Sequence, residues 1–149
     1  MKLLVATAAT ALTLGGAAFA DSHAGSGDAE AGAKEYNKCK SCHMIVADDG
    51  TEIVKGGRTG PNLYGIIGKQ AGTQEDFRYG DSLVAAGEAG LVWDEETFVA
   101  YVQDPKKFLA EYLDDKGARS KMSYRLRKGM EDVYAYLVSV GPEMEDTGS

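Results

Sequence analysis

The stretch Cys39-Lys40-Ser41-Cys42-His43 constrains this chain more than any other. Its two cysteines are the only ones in the sequence, so all thiol chemistry sits at one place. At the end of a helix, residues three apart share a face, and the imidazole follows directly. The pattern C-x-x-C-H is the attachment signature of a c-type haem. Both thiols can bond the two vinyl groups of one porphyrin, and His43 can ligate the iron as a neutral imidazole. A thioredoxin-like redox pair is the rival reading, but it calls for a preceding strand within a βαβ pattern, and the sequence offers neither. A disulfide across so short a loop would stabilise little.

The N-terminus agrees with that chemistry. Lys2 precedes an apolar run over residues 3–18, and Ala18-Phe19-Ala20 forms an A-x-A cleavage site, the pattern of a secretory signal peptide. The run is short and broken by Thr and Gly, which argues against a membrane anchor. No other segment approaches transmembrane length. Covalent haem attachment takes place outside the bacterial cytoplasm, so the two features together predict a periplasmic protein. Cleavage after Ala20 leaves 129 of the 149 residues, a single-domain size. The expected organisation is a signal peptide over 1–20, a flexible N-terminus over 21–27, one domain over 28–141 and an acidic flexible tail over 142–149. His23 lies in the flexible part and reads as a solvated residue, not a ligand.

Charge excludes one class of partner and marks a face for another. The net charge is −7, and loss of Lys2 with the leader takes it to −8, which argues against nucleic-acid binding. The distribution is uneven. No Lys or Arg falls between Arg78 and Lys106, while residues 105–128 hold eight basic residues against three acids. An acidic protein with a basic district is set up to orient in a partner's field.

Helix signals recur along the chain. Asp28 can cap a helix running to about Cys39, with Gly32 and Tyr36 on one face for a close helix crossing. Residues 44–60 read as a loop, followed by Thr59-Gly60-Pro61-Asn62-Leu63, whose rigid backbone can offer a carbonyl to the second nitrogen of His43, although a Gly-Pro is most often just a turn. Asp81 or Ser82 starts a short helix, Asp94 caps a clearer one with Glu95 and Glu96 in its first turn, and Asp104-Pro105 ends that helix and opens the next. A last amphipathic helix spans about Gly129 to Val140, stopped by Gly141-Pro142. No convincing strand alternation is visible, so the predicted fold class is all-α.

An iron held by His43 needs a second axial ligand. Met44 adjoins His43 and cannot reach the opposite face, Met144 is in the tail, and Met130 falls on the apolar stripe of the last helix. Met122 sits in a polar loop with no packing stripe, so a haem face is its best partner.

Taken together, these stretches resemble the class I cytochromes c, and closely the bacterial cytochromes c2. The resemblance covers nearly all of the chain after the leader. It is carried by Ala31-Gly32-Ala33-Lys34, the C-x-x-C-H stretch, residues 59–63, Phe77 with Tyr79, Trp93, Tyr101 with Asp104-Pro105-Lys106-Lys107, Lys121-Met122 and Ala135-Tyr136-Leu137. It implies an all-α fold of several short helices wrapped around one covalent haem c, with the N- and C-terminal helices crossing. It also implies that Cys39 and Cys42 carry the thioethers, that His43 and Met122 are the axial ligands, and that Pro61 supplies the carbonyl to His43. Tyr79 and Trp93 would bond a haem propionate, although core packing explains Trp93 as naturally, and Tyr101 would lie near the Met sulfur. Lys69 stands where the family often has Arg, and Tyr124 follows the Met where mitochondrial relatives have Phe.

The function so implied is single-electron transfer by a monomer, not enzymatic turnover. Electrons would pass from a quinol-oxidising cytochrome bc complex to a reaction centre, terminal oxidase or other reductase. Docking would use Lys38, Arg58, Lys106, Lys107 and Lys121 around the haem edge. A haem enzyme or gas sensor would need an open iron position, which a Met122 ligand closes.

Overall fold

The computed structural model describes residues 25–143. The expected leader, residues 21–24 with His23, and Met144 with the rest of the acidic tail lie outside that range. The regular structure of the described chain is mostly helical, and three of its five α-helices begin at an aspartate cap. Helix α1, Ala29–Glu35, is capped by Asp28, whose Oδ1 accepts from the backbone of Glu30 at 2.8 Å and Ala31 at 2.9 Å. A single 3₁₀ turn, Tyr36–Lys38, continues it to the C-x-x-C-H stretch. Helix α2 spans Asp81–Glu88. Helix α3, Glu95–Gln103, has a reciprocal cap: Thr97 N–H donates to Asp94 Oδ1, and Asp94 N–H donates to Thr97 Oγ1. Helix α4, Pro105–Tyr112, begins on Pro105 with Asp104 as its cap. Helix α5, Met130–Val140, ends at Gly141, whose N–H reaches the carbonyl of Leu137.

Helices α1 and α5 cross at Gly32. A Cβ there would lie 1.9 Å from the carbonyl oxygen of Asp132 and 2.8 Å from Tyr136 Cβ, so only glycine admits this approach. One turn on, Tyr36 and Tyr136 cover the crossing with ring centroids 5.6 Å apart. Tyr36 is 1% exposed and Val133 2%, so the crossing is part of the core. The chain before α1 is tied to α3 and α5. Ser26 donates through both N–H and Oγ–H to Glu95, and Asp28 N–H donates to Asp132 Oδ1.

The region read as a loop over 44–60 contains a small antiparallel hairpin, β1 Ile45–Val46 and β2 Glu52–Val54, an addition to the all-α expectation. Its strands are too short to show alternation. The turn is made by Gly50 at φ +85° and by Asp49, which accepts from Thr51 N–H at 2.8 Å. A second extended contact matters more for the interior. Gly68 N–H donates to the Trp93 carbonyl at 2.8 Å and Trp93 N–H to the Lys69 carbonyl at 3.0 Å, which fixes the indole from both sides of its own peptide unit.

Candidate functional site

The C-x-x-C-H stretch leaves the 3₁₀ turn as one further turn, with Cys42 N–H and His43 N–H both reaching the Cys39 carbonyl, at 3.0 and 2.9 Å. Residues 56–63 wrap around it, backbone on backbone. Gly57 N–H donates to the Lys40 carbonyl at 2.9 Å and Gly60 N–H to the Cys42 carbonyl at 2.8 Å. Asn62 pins this wrapping segment from outside. Its amide donates to the Val46 carbonyl at 2.7 Å and accepts from Val46 N–H at 3.0 Å, which locks residues 61–63 to β1.

His43 is thereby held in one tautomer. Its Nδ1 lies 2.8 Å from the Pro61 carbonyl oxygen. A carbonyl can only accept, so Nδ1 carries the proton and Nε2 keeps its lone pair. Burial pushes the imidazolium below its usual range, while the bond to Pro61 opposes that, and the balance favours the neutral ring. Gly60 packs on the ring edge: a Cβ there would fall 2.3 Å from His43 Cε1 and 2.8 Å from Nε2.

The imidazole looks into a cavity of about 290 Å³. Cys39, Cys42, Pro61, Tyr79, Trp93, Tyr101 and Met122 line it as well. The rest of the wall includes apolar side chains from loop, α2, α3 and α5 positions, among them Leu63, Leu83, Phe98 and Val133. Met122 is the one methionine of the described residues in the lining; Met130 packs against the core, and the Met44 carbonyl faces the Tyr36 hydroxyl. Ser120 positions the Met122 loop. Its Oγ accepts from Met122 N–H at 3.1 Å and lies 3.4 Å from the Tyr101 hydroxyl. Two further bonds hold the loop to the first turn of α2 and to the segment before it: Arg119 N–H to Ser82 Oγ at 3.0 Å, and Lys121 Nζ to the Arg78 carbonyl at 2.8 Å. The Lys121 stem lies across Gly80, where a Cβ would meet it at 3.3 Å.

The thiols differ. Burial pushes Cys39 up to about 11, whereas the Thr59 and Ser41 hydroxyls hold the exposed Cys42 below the usual thiol range. Neither is in a disulfide. Two thiols at the mouth of an apolar cavity, one imidazole with a bare nitrogen and one thioether form a donor set suited to haem c, and the close approach of Gly60 fits a ring that must hold one orientation.

Relatives decide the family. The chain is 71% identical over 114 residues to cytochrome c-551 of Roseobacter denitrificans, covering 76% of this chain and 81% of that protein. It is 56% identical over 141 residues to cytochrome c2 of Rhodobacter capsulatus, covering 94% of this chain and 98% of the relative. The chain belongs to the bacterial cytochrome c2 family. The structure of cytochrome c2 from Rhodobacter capsulatus superposes with a TM-score of 0.75 at 60% identity, over 76% of this chain and 98% of that one. Cytochrome c2 from Paracoccus denitrificans gives 0.77 at 48%, over 79% and 99%. No protein-family model matches the chain. The fold is that of the class I cytochromes c. As in its cytochrome c2 relatives, one covalently bound haem c is carried per chain, and the protein transfers electrons and is not an enzyme.

The basic residues expected to dock partners are all exposed, and they divide by position. Lys38 and Lys121 line the cavity mouth, and Lys106 borders an adjoining hollow with Lys116, Arg119 and Ser120. Arg58 and Lys107 line neither. Lys38 pairs with Glu35, and Lys107 with Glu111 at 2.6 Å. Arg119 lines both cavity and hollow, a position that charge counting had not singled out. Lys69 is exposed and outside the cavity lining, while Tyr124 lines it.

Proposed function

We propose that this chain carries single electrons through a haem c joined by thioethers at Cys39 and Cys42 and ligated by His43 Nε2 and the Met122 sulfur. The observation that carries this reading is the 2.8 Å bond from His43 Nδ1 to Pro61, with Met122 in the wall of the same cavity. The haem supplies the reversible uptake and release of one electron. The chain's residues do the rest. Pro61 orients the imidazole and raises its basicity. Ser120, Lys121 and Arg119 fix the loop that presents the thioether, and two protein ligands close the iron to substrates. The apolar wall excludes water, and a soft thioether in a dry pocket favours the reduced state. Trp93 and Tyr79 line the cavity and would bond a haem propionate, while Tyr101, beside the Ser120 hydroxyl that holds the Met122 loop, would lie near the thioether.

In this reading the mature protein begins at Asp21, works in the periplasm as a monomer and comprises one domain over 28–141. It draws electrons from a quinol-oxidising cytochrome bc complex and delivers them to a reaction centre, a terminal oxidase or another reductase, in respiration or photosynthesis. Exposed Lys38, Lys106 and Lys121 near the cavity mouth, with Arg119, support docking by the haem edge, and no described helix is long and apolar enough to cross a membrane. The test is the far-red sulfur-to-iron band of the oxidised protein. Met122→Leu should abolish it, lower the potential and open the iron to added ligands. A band lost in Met130→Leu but kept in Met122→Leu would overturn the ligand assignment.

A further inference from the structure

The side chain of Gln74 ties two walls of the cavity together. Its Nε2 donates to the Asn62 backbone carbonyl at 2.7 Å, in half-buried surroundings and across twelve residues of sequence. The amide must present its NH2 here, because the Asn62 oxygen only accepts. The Gln74 carbonyl in turn accepts from Phe77 N–H at 3.4 Å, in the turn that brings Phe77 and Tyr79 to the cavity wall. Those two rings meet edge-on with centroids 4.9 Å apart. The other end of the bond lies next to Pro61. The Pro61 carbonyl, 2.8 Å from His43 Nδ1, shares its peptide plane with Asn62 N–H, which donates to no described protein group. That plane is therefore set from its two ends. The pyrrolidine ring fixes φ at Pro61. Asn62 is held at three points: its side chain pairs with Val46, the Leu63 N–H of the following plane donates to the Met44 carbonyl at 3.0 Å, and Gln74 takes the carbonyl of that same plane. The first two bonds come from the segment that follows His43, and the third comes from the loop that carries Phe77 and Tyr79.

We propose that Gln74 is a positioning residue for the His43 imidazole, acting through Asn62 and Pro61. The proposal rests on the ligation by His43 put forward above and deepens it by naming what holds the partner of the second ring nitrogen. With Gln74 in place the Asn62 carbonyl is paired, and the Pro61 carbonyl stays in line with Nδ1–H. Without it, the Asn62 carbonyl must find water, and the Asn62–Leu63 plane turns to reach it. The Pro61 carbonyl follows, because the two planes meet at the Asn62 Cα. A longer bond to Pro61 leaves the imidazole less basic and a poorer donor to a metal. Gln74 also links the ring to the Phe77 and Tyr79 loop, so a shift of that wall is felt at His43.

The experiment follows the His43 Nδ1 proton of the ferrous holoprotein by NMR, through its resonance and its exchange with solvent, together with the reduction potential. Gln74→Leu removes the donor. Gln74→Glu keeps the shape, sets an acceptor against the Asn62 carbonyl, and serves if the leucine variant does not fold. In both, the Nδ1 proton should exchange severalfold faster, its resonance should move upfield as the bond weakens, and the potential should rise. The Val133 N–H, in the crossing of α1 and α5, should keep its wild-type exchange rate, since no global opening is involved. Thr73→Val removes a different bond of the same loop, from Thr73 Oγ to the Gln70 carbonyl at 2.8 Å, and should leave the Nδ1 proton and the potential as in wild type. A Gln74→Glu protein that matches wild type would mean that only the shape of the side chain counts. Equal acceleration at Val133, or the same shift in Thr73→Val, would mean general loosening. Each of these results overturns the positioning role while leaving the ligand assignment intact. A wild-type protein whose His43 ring shows no haem-shifted resonance would refute the assignment itself, and the role of Gln74 with it.

Discussion

Replacing Gly60 with alanine asks how tightly the imidazole is held. The backbone at Gly60 is not in the left-handed region, so the substitution strains no dihedral, and its effect is steric. The new methyl would lie 2.3 Å from His43 Cε1, 2.6 Å from Nδ1 and 2.8 Å from Nε2. Ordinary carbon contacts start near 3.5 Å, so about 1 Å of movement is required. If the ring gives way, the 2.8 Å bond to Pro61 stretches beyond a useful length. If residues 59–61 retreat, the 2.8 Å bond from Gly60 N–H to the Cys42 carbonyl breaks instead. Overpacking costs about 1–3 kcal/mol and a lost hydrogen bond adds about 1, for about 2–4 kcal/mol in all. For a domain of this size that is a fall of roughly 10 °C in Tm.

The assay is thermal unfolding of the oxidised holoprotein by circular dichroism, read alongside the far-red band. Displacement of the ring lowers Tm and perturbs the band, whereas retreat of the loop lowers Tm and spares it. Gly50→Ala is the comparison. Nothing lies within 4 Å of its Cβ, but φ is +85°, so it should cost only about 1 kcal/mol and leave the band alone. A Gly60→Ala protein that melts with wild type and keeps its spectrum would refute the claim that residues 59–61 clamp the imidazole.

Two further outcomes are expected. Lys106→Glu and Lys121→Glu should slow electron transfer with a purified bc complex far more than Lys34→Glu, and the wild-type rate should fall as salt rises from about 0.01 M to 1 M, over which the Debye length shrinks from ~30 to ~3 Å; indifference to salt would move docking to another face. Burial pushes the Tyr36 phenol above its ordinary value of 10, so the folded state keeps a proton that the unfolded chain releases; its contribution is intact below pH 10 and drains away above it at about 1.4 kcal/mol per pH unit, and Tyr36→Phe should flatten that loss in urea titrations.

What the sequence made legible follows from how local each signal is. Covalent attachment needs two thiols and an imidazole at fixed short spacing, so Cys39, Cys42 and His43 stand out in five residues. Asp28, Asp94 and Asp104 mark helix starts because a cap acts within three residues of itself. Met122 is the proposed second ligand by elimination, since a methionine in a polar loop lacks a packing stripe, and it lines the cavity. Asn62, Ser120 and Arg119 carried no such mark. Asn62 acts on Val46, sixteen residues away, and Arg119 on Ser82, thirty-seven away, through side chain–backbone bonds that leave no periodicity. The hairpin was missed because strands of two and three residues cannot alternate.

These loop bonds explain how the chain can present the proposed ligand pair, His43 and Met122, without burying a charge. No charged or polar residue among those described is buried, although an imidazole and a thioether both reach the cavity. The work of positioning falls to backbone amides at residues 57, 60 and 122 and to the Pro61 carbonyl, which are dipoles that cost little to desolvate once paired. Cations are kept to the rim, where Lys38, Arg119 and Lys121 edge the cavity and stay hydrated. Interior and rim therefore answer to different perturbations. A Met122→Leu change alters the energy of the electron and leaves long-range steering intact, and a Lys106→Glu change does the reverse. Combined in one protein, the two should add in the logarithm of the transfer rate, because they share no partner and act through separate terms. Strong coupling between them would mean that rim charges reach into the cavity and help to set the potential.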